Sequence, residues 1–178
     1  MENRFADSPY YAGPMDPVTA HVVIGRPREE VFEYLADIAN HSEFSDHYLK
    51  EMRLTRVESY GRGAGARFKL DAPLDRYSWG DMTFIDVQPP YKIVAAGRGG
   101  KFNRNKTWTT WTLEPTGNGT RVEVTTESEP GLPTDKFMEA VTGRRGWMKR
   151  NLRKALHRMQ SILEENHDRG PRVTVGGL

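Results

Sequence analysis

The sequence predicts an α+β fold in which a curved antiparallel sheet of about six to seven strands surrounds one long C-terminal helix. Short segments with the two-residue alternation of β-strands follow one another through the middle of the chain. The turns between them are too short for the crossovers that parallel neighbours need, so neighbouring strands must be antiparallel. A long apolar seam at helical spacing follows, and a twisted sheet of this size can enclose such a helix.

The fold begins with a strand and two short helices. Thr19 to Ile24 alternates as a strand does, and Pro27 then opens a helix at a position where its missing N–H costs little. A second helical piece is predicted from about His41 to Leu49. The buried stripe of the first helix is formed by four apolar residues at helical spacing, Val31, Phe32, Leu35 and Ile38.

Six further strands are predicted after the short helices. The last two are joined by a turn at Gly117 to Gly119, which is a strong hairpin signal. In order, the strands are Met52 to Ser59, Ala66 to Leu70, Tyr77 to Val87, Tyr91 to Gly97, Thr107 to Leu113 and Arg121 to Thr126. The closing helix is predicted from near Asp135 to about Glu165, with a seam of Met148, Leu152, Ala155, Met159 and Ile162.

Length and composition favour one cytoplasmic domain. The 178 residues suit a single domain at 18–167, with an extended proline-rich arm at 1–17 and a flexible tail at 168–178. The chain has no cysteine, which excludes disulfides and thiol catalysis. It shows neither a secretory signal nor an apolar run long enough to span a bilayer, so membrane insertion is not expected. A net charge of +2 with interspersed signs argues against nucleic acid as a partner.

The pattern resembles a known superfamily. The opening VVIGRPREEVFEYLADIANHSEF, the junction DVQPPYKIV, the hairpin WTLEPTGNGTRVEV and the closing helix occur in the order typical of it. Over about Val18 to Glu165 the chain resembles the START/Bet v 1-like (SRPBCC) helix-grip superfamily, and within it the polyketide cyclase/dehydrase group. This resemblance implies a deep cavity between sheet and helix that takes lipids, sterols, polyketides or similar molecules.

Two strands carry a mixed set of side chains that favours such a cavity. A face made only to pack would carry Val, Ile and Leu throughout. The odd-numbered positions of the predicted strands Tyr77 to Val87 and Thr107 to Leu113 instead mix aromatics with hydroxyls and a carboxylate. The alternative is that the tryptophans are core residues and the threonines are strand formers. Met82 and Phe84 are also apolar, so either a bulge interrupts their strand or an apolar patch is exposed for self-association as a homodimer. The predicted ligand contacts are Tyr48, Tyr77, Trp79, Asp81, Thr83, Thr109, Trp111, Met148, Asn151 and Leu152.

Three polar residues are candidates for catalysis. In aromatase/cyclase members of the group, inward aromatics, a tyrosine, a strand arginine and a helix asparagine surround the substrate. The resemblance matches Tyr48, Trp79, Trp111 and Asn151 to these places, whereas Thr83 stands where the arginine would be, which weakens the cyclase interpretation. Asp81 is the third candidate: a buried Asp81 could transfer a proton, and an outward one would simply be solvated.

Other polar groups support weaker hypotheses. The residues His41, Glu43, Asp46 and His47 could suggest a metal, but the histidines are not four apart, and a surface helix is the favoured interpretation. No metal and no cofactor are therefore predicted. The closing helix also carries a basic patch, either a solvated face or a contact for phosphate or an acidic partner: Arg144, Arg145, Lys149, Arg150, Arg153 and Lys154.

The favoured function is binding or carriage of a lipid- or polyketide-like hydrophobic molecule in an internal cavity. One alternative is an enzyme, a polyketide cyclase/aromatase or dehydratase, in which Tyr48, Asp81 and Asn151 would act on the substrate. Another is a ubiquinone-binding or ribosome-associated role, which would use the basic patch. The sequence leaves the ligand's identity open.

Overall fold

The structure is a computed structural model that describes residues 16–73, 78–131 and 143–176. Three predictions fall outside these ranges: the N-terminal arm at 1–17 apart from its last two residues, the start of the closing helix near Asp135 and the contact by Tyr77. The strands are β1 (Val18–Ile24), β2 (Leu49–Leu54), β3 (Gly65–Leu70), β4 (Trp79–Gln88), β5 (Lys92–Gly99), β6 (Asn105–Thr116) and β7 (Gly119–Glu129). The helices are α1 (Arg28–Ala36), α2 (His41–Ser45) and α3 (Arg144–Glu165), with 3₁₀ turns at Ile38–Asn40 and Lys101–Asn103.

The strands form one antiparallel sheet in the order β1-β7-β6-β5-β4-β3-β2. Each strand from β2 to β6 pairs with its successor in the chain, and β1 pairs with β7, where Val18 lies opposite Thr126. Helix α3 packs against β1 and α2 through the predicted seam, with Leu156 added. The curved sheet gripping a C-terminal helix confirms the predicted α+β class and strand number.

A bulge in β4 reverses which side chains face the core. The register with β5 shifts between Phe84 and Asp86. Phe84 is 1% exposed and Ile85 is 43% exposed, so the even positions before the bulge face inward. The prediction that Trp79, Asp81 and Thr83 lie on the inner face is therefore wrong, because one extra residue in a strand exchanges its two faces.

Helix α2 is buried rather than being the predicted surface helix. All five of its residues are buried. The carboxylate of Glu43 accepts a hydrogen bond from the Tyr34 hydroxyl at 2.8 Å and pairs with Arg169, so the buried charge is compensated. Next to the helix, Asp46 pairs with Arg158 of α3. Sequence reasoning missed this burial because the covering groups come from distant parts of the chain.

The C-terminal residues up to 176 are docked, which corrects the expectation of a flexible tail at 168–178. Val173 is 1% exposed and its N–H donates to the Ala39 carbonyl at 3.2 Å. Leu54 of the edge strand β2 donates its N–H to the Thr174 carbonyl at 3.1 Å. Gly- and Pro-containing backbone can order in this way because the edge strand and α2 offer unpaired hydrogen-bonding groups.

Candidate ligand-binding cavity

A cavity of about 180 Å³ lies between the inner face of the sheet, α2 and the N-terminal part of α3. Its deep end is closed by buried side chains, including Phe44, Trp111 and Leu156. Its mouth lies beside more exposed residues, among them Gly100 and Arg145. The volume is comparable with the ~150 Å³ of engineered apolar cavities that take up benzene.

The cavity exists because inward side chains become smaller along the sheet. On β5, the inward positions change from Ile93 through Ala95 to Gly97 and Gly99. The backbone of β4 also lies too close for a larger residue, since a Cβ at Gly97 would come within 2.2 Å of the Asp81 carbonyl oxygen.

The neighbouring strands follow the same gradient. On β6 the inward series is Leu113, Trp111, Thr109, Thr107 and Asn105, and on β7 it is Val122, Val124, Thr126 and Ser128. Cross-strand register aligns these series, so large apolar residues fill one end of the sheet and small or polar residues line the other. A space forms where the side chains are too short to reach α3.

Seven of the predicted contacts line this cavity: Tyr48, Trp79, Asp81, Thr109, Trp111, Met148 and Leu152. Thr109 and Thr126 share a hydroxyl–hydroxyl contact of 3.3 Å on its wall. The ring of Tyr48 packs edge-on against Trp147, with centroids 6.0 Å apart. Burial raises the pKa of the Tyr48 hydroxyl well above its ordinary value, which keeps it protonated.

Two of these seven residues belong to the outward face of β4, and two further predicted contacts lie outside the lining. Trp79 and Asp81 border the cavity, but they belong to the outward register: the Trp79 ring lies 5.2 Å from the Arg67 guanidinium, and Asp81 Oδ1 accepts the Arg98 N–H at 3.1 Å. Thr83 and Asn151 are not among the lining residues. The Asn151 amide donates to the Trp147 carbonyl of its own helix at 2.9 Å.

His41 is a cavity residue that sequence reasoning assigned to a surface helix. It is 2% exposed, and its ring centroid lies 5.2 Å from Phe44, 5.5 Å from Phe84 and 5.2 Å from Trp111. Burial lowers its pKa to about 4, although the Leu35 carbonyl and Asp37 act in the opposite direction. The spacing of His41, Phe44 and Tyr48, three and then four residues apart, was the signal that could have placed the histidine on the inward face.

The suspected metal cluster is divided among separate contacts. His41 lies in the aromatic cavity wall, whereas Glu43 and Asp46 are engaged by arginines. The ring of His47 packs against Tyr48 at a tilt of 54° with centroids 4.9 Å apart, and burial is the main cause of its lowered pKa. Within the ranges that the structure describes, no helix is both long and apolar enough to cross a bilayer.

A protein-family model matches residues 15–164 of the chain. The family is described as "Polyketide cyclase / dehydrase and lipid transport". The chain belongs to this family. This membership confirms the resemblance inferred from the sequence motifs, and the family description is consistent with a fold that binds hydrophobic ligands. No curated protein matches the chain.

Solved structures share the fold of this polyketide cyclase/dehydrase family member at low sequence identity. The solution structure of the KanY protein has a TM-score of 0.68 at 18% identity, covering 84% of this chain and 97% of that one. A Thermus thermophilus protein, TTHA0849, has a TM-score of 0.63 at 17% identity, with 85% and 99% covered. Truncated norcoclaurine synthase from Thalictrum flavum has a TM-score of 0.62 at 13% identity, with 86% and 95% covered. At these identities the similarity establishes the fold alone.

Proposed function

We propose that the protein binds and carries a small hydrophobic molecule, lipid- or polyketide-like, in the cavity between the sheet and α3. The observation behind this proposal is the shared gradient of inward side chains on β5, β6 and β7, which leaves a space lined by Trp111, Met148 and Leu152 with hydroxyls on its wall. Apolar walls with a few polar groups are typical of sites for organic ligands.

The polar groups of the cavity favour binding over proton-transfer catalysis. Of the three candidates for catalysis, Asp81 belongs to the outward register and Asn151 is hydrogen-bonded to its own helix. His41 is neutral near pH 7 and, with a pKa of about 4, is a weak base. Fixed neutral hydrogen-bonding groups can orient a ligand without reacting with it.

A direct test combines ligand extraction with a binding panel. The purified protein would be extracted and analysed by mass spectrometry, and its melting temperature measured with fatty acids, sterols and aromatic polyketides. We expect a copurified hydrophobic compound, or a panel member that raises the melting temperature, because a ligand that binds only the native state stabilises it. An empty protein whose melting temperature no compound changes would contradict the proposal.

The second candidate function is a cyclase or dehydratase acting on a polyketide-like substrate. It is favoured by Tyr48, whose hydroxyl lies in the cavity wall without a hydrogen-bond partner among the described residues, and by the family description. Tyr48 would then donate a proton or a hydrogen bond to a carbonyl. Turnover of an aromatic polyketide that is lost in Tyr48→Phe but kept in Asp81→Asn would support this alternative.

The third candidate, a ubiquinone-binding or ribosome-associated role, is favoured by the charge of α3. The helix has no acidic residue before Glu164, and Lys149, Arg150, Arg153 and Lys154 are exposed on it. Binding to a ribosome through exposed charges would weaken sharply between low and moderate salt, because such contacts are screened.

A further inference from the structure

The imidazole of His41 is held in one tautomer. Its Nε2 lies 2.8 Å from the backbone carbonyl oxygen of Leu35, in the last turn of α1. A carbonyl oxygen can only accept, so Nε2 carries the proton of the neutral ring. The other nitrogen, Nδ1, is therefore an unprotonated acceptor.

Within the described residues the Nδ1 atom of His41 has no hydrogen-bond partner, yet it is not sealed inside the protein. Among the described residues, the polar side-chain atoms that are fully buried without a hydrogen bond are the Nε atoms of Arg28 and Arg158, and His41 Nδ1 is not one of them. The ring is only 2% exposed and packs against three aromatic rings. Because His41 lines the cavity, the space left to Nδ1 is the cavity itself.

Tyr48 provides a second polar group of the same kind. The side chain is 7% exposed and lines the cavity, and its hydroxyl has no hydrogen-bond partner within the described part of the chain. The Tyr48 hydroxyl oxygen, like His41 Nδ1, is not one of the fully buried atoms that lack a hydrogen bond. Besides the hydroxyls of Thr109 and Thr126, the cavity thus offers a ligand an acceptor, His41 Nδ1, and a group that both donates and accepts, Tyr48 Oη.

We propose that His41 Nδ1 selects a ligand with a hydroxyl or N–H donor on an aromatic or alicyclic ring. The inference rests on the proposed function and names the ligand class. A pure hydrocarbon would leave Nδ1 unsatisfied next to apolar surface, which costs free energy. A carboxylate would bring its lone pairs against the lone pair of Nδ1. A phenol or ring alcohol satisfies the acceptor and keeps its apolar part on Phe44 and Trp111.

Two isosteric compounds test this selectivity: 2-naphthol, which has the donor, and 2-methylnaphthalene, which lacks it. We would measure both affinities by fluorescence titration in the wild type, in His41→Phe and in His157→Gln, a change at an exposed histidine of α3. We expect the preference for 2-naphthol to fall about tenfold in His41→Phe, the value of one hydrogen bond, and to be unchanged in His157→Gln.

A second measurement needs no variant, so it remains decisive if His41→Phe does not fold. In the ¹⁵N NMR spectrum of the wild-type histidines, saturation with 2-naphthol should move the His41 Nδ1 resonance upfield, whereas 2-methylnaphthalene should not. If 2-naphthol saturates the protein and the Nδ1 resonance stays in place, the selectivity proposal is overturned while ligand binding stands. If neither compound binds the wild type, the selectivity proposal is overturned as well, whereas the proposed function is decided by the extraction and the binding panel.

Discussion

The Nε2 atom of His41 and the carbonyl oxygen of Leu35, 2.8 Å apart, join α2 to the end of α1 at the cavity wall. This hydrogen bond satisfies one of the carbonyls that a helix end leaves without a partner. It also fixes which nitrogen faces the cavity. One contact therefore links the packing of the two short helices to the chemistry that a ligand would meet.

Stability should depend on pH through His41. Its pKa is about 4 in the folded protein, against 6.5 for an unperturbed histidine. Between these values the unfolded chain binds more protons, so stability present above pH 6.5 is lost as pH falls toward 4. This difference in pKa corresponds to about 3 kcal/mol of the free energy of unfolding.

Denaturant unfolding at several pH values would measure this loss. The variant His41→Phe should have a flatter profile in this window, and His157→Gln should keep the wild-type slope. An unchanged slope in a folded His41→Phe protein would show that other groups cause the acid sensitivity.

A methyl group at Gly97 should destabilise the sheet. The added Cβ would lie 2.2 Å from the Asp81 carbonyl oxygen and 2.8 Å from Thr107 Oγ1, so a strand must move. We expect Gly97→Ala to lower the free energy of unfolding by about 1–3 kcal/mol. Gly117→Ala is the control, because nothing lies within 4 Å of a Cβ there; it should change stability by less than about 0.5 kcal/mol. Equal effects of the two substitutions in urea unfolding would contradict this description of β4 and β5.

The pair of Glu43 and Arg169 should anchor the C-terminal residues. The Glu43 side chain is 5% exposed, so removing Arg169 leaves a buried carboxylate with Tyr34 as its remaining side-chain partner. We expect Arg169→Ala to lower the free energy of unfolding by about 1–3 kcal/mol. The lower end of this range is expected because Arg169 is partly exposed to solvent. Arg172→Ala removes the more exposed pair with Asp37 and should cost less. Thermal unfolding that ranks the two variants in the reverse order would argue against this anchor.

Two of the catalytic candidates should be dispensable for binding. Asp81→Asn and Asn151→Ala should leave the affinity for 2-naphthol within about twofold of the wild type, since Asp81 belongs to the outward register of β4 and the Asn151 amide is hydrogen-bonded to its own helix. Isothermal titration of both variants checks this. A tenfold loss in Asp81→Asn would mean that the carboxylate reaches the ligand.

The sequence predicted the architecture because periodicity reports it directly. The Gly117–Gly119 hairpin, the seam of α3 and the inward odd positions of β6 all follow from local spacing. The bulge near Ile85 cannot be predicted from local spacing, because both faces of β4 carry apolar residues and its register is set by pairing with β5. Of the two interpretations of Met82 and Phe84, the bulge is observed and Phe84 is buried, while self-association as a homodimer stays a prediction.

The cavity wall was predicted less completely than the sheet. Thr109 and Trp111 followed from alternation, whereas His41 did not, because its burial depends on α3 and on residues after 168 that cover α2. The outward placement of Trp79 and Asp81 is a consequence of the bulge. Contacts between elements distant in the chain carry no local signature.

Binding to two variants of adjacent residues on β6 tests the central claim most directly. Thr109→Phe places a ring in the cavity, whereas Thr110→Phe places the same ring on the opposite face of the strand. With both variants shown to be folded by circular dichroism, we predict that 2-naphthol binds Thr110→Phe as it binds the wild type and that its affinity for Thr109→Phe falls at least tenfold. Unchanged binding to a folded Thr109→Phe protein would contradict the claim that the ligand occupies this cavity.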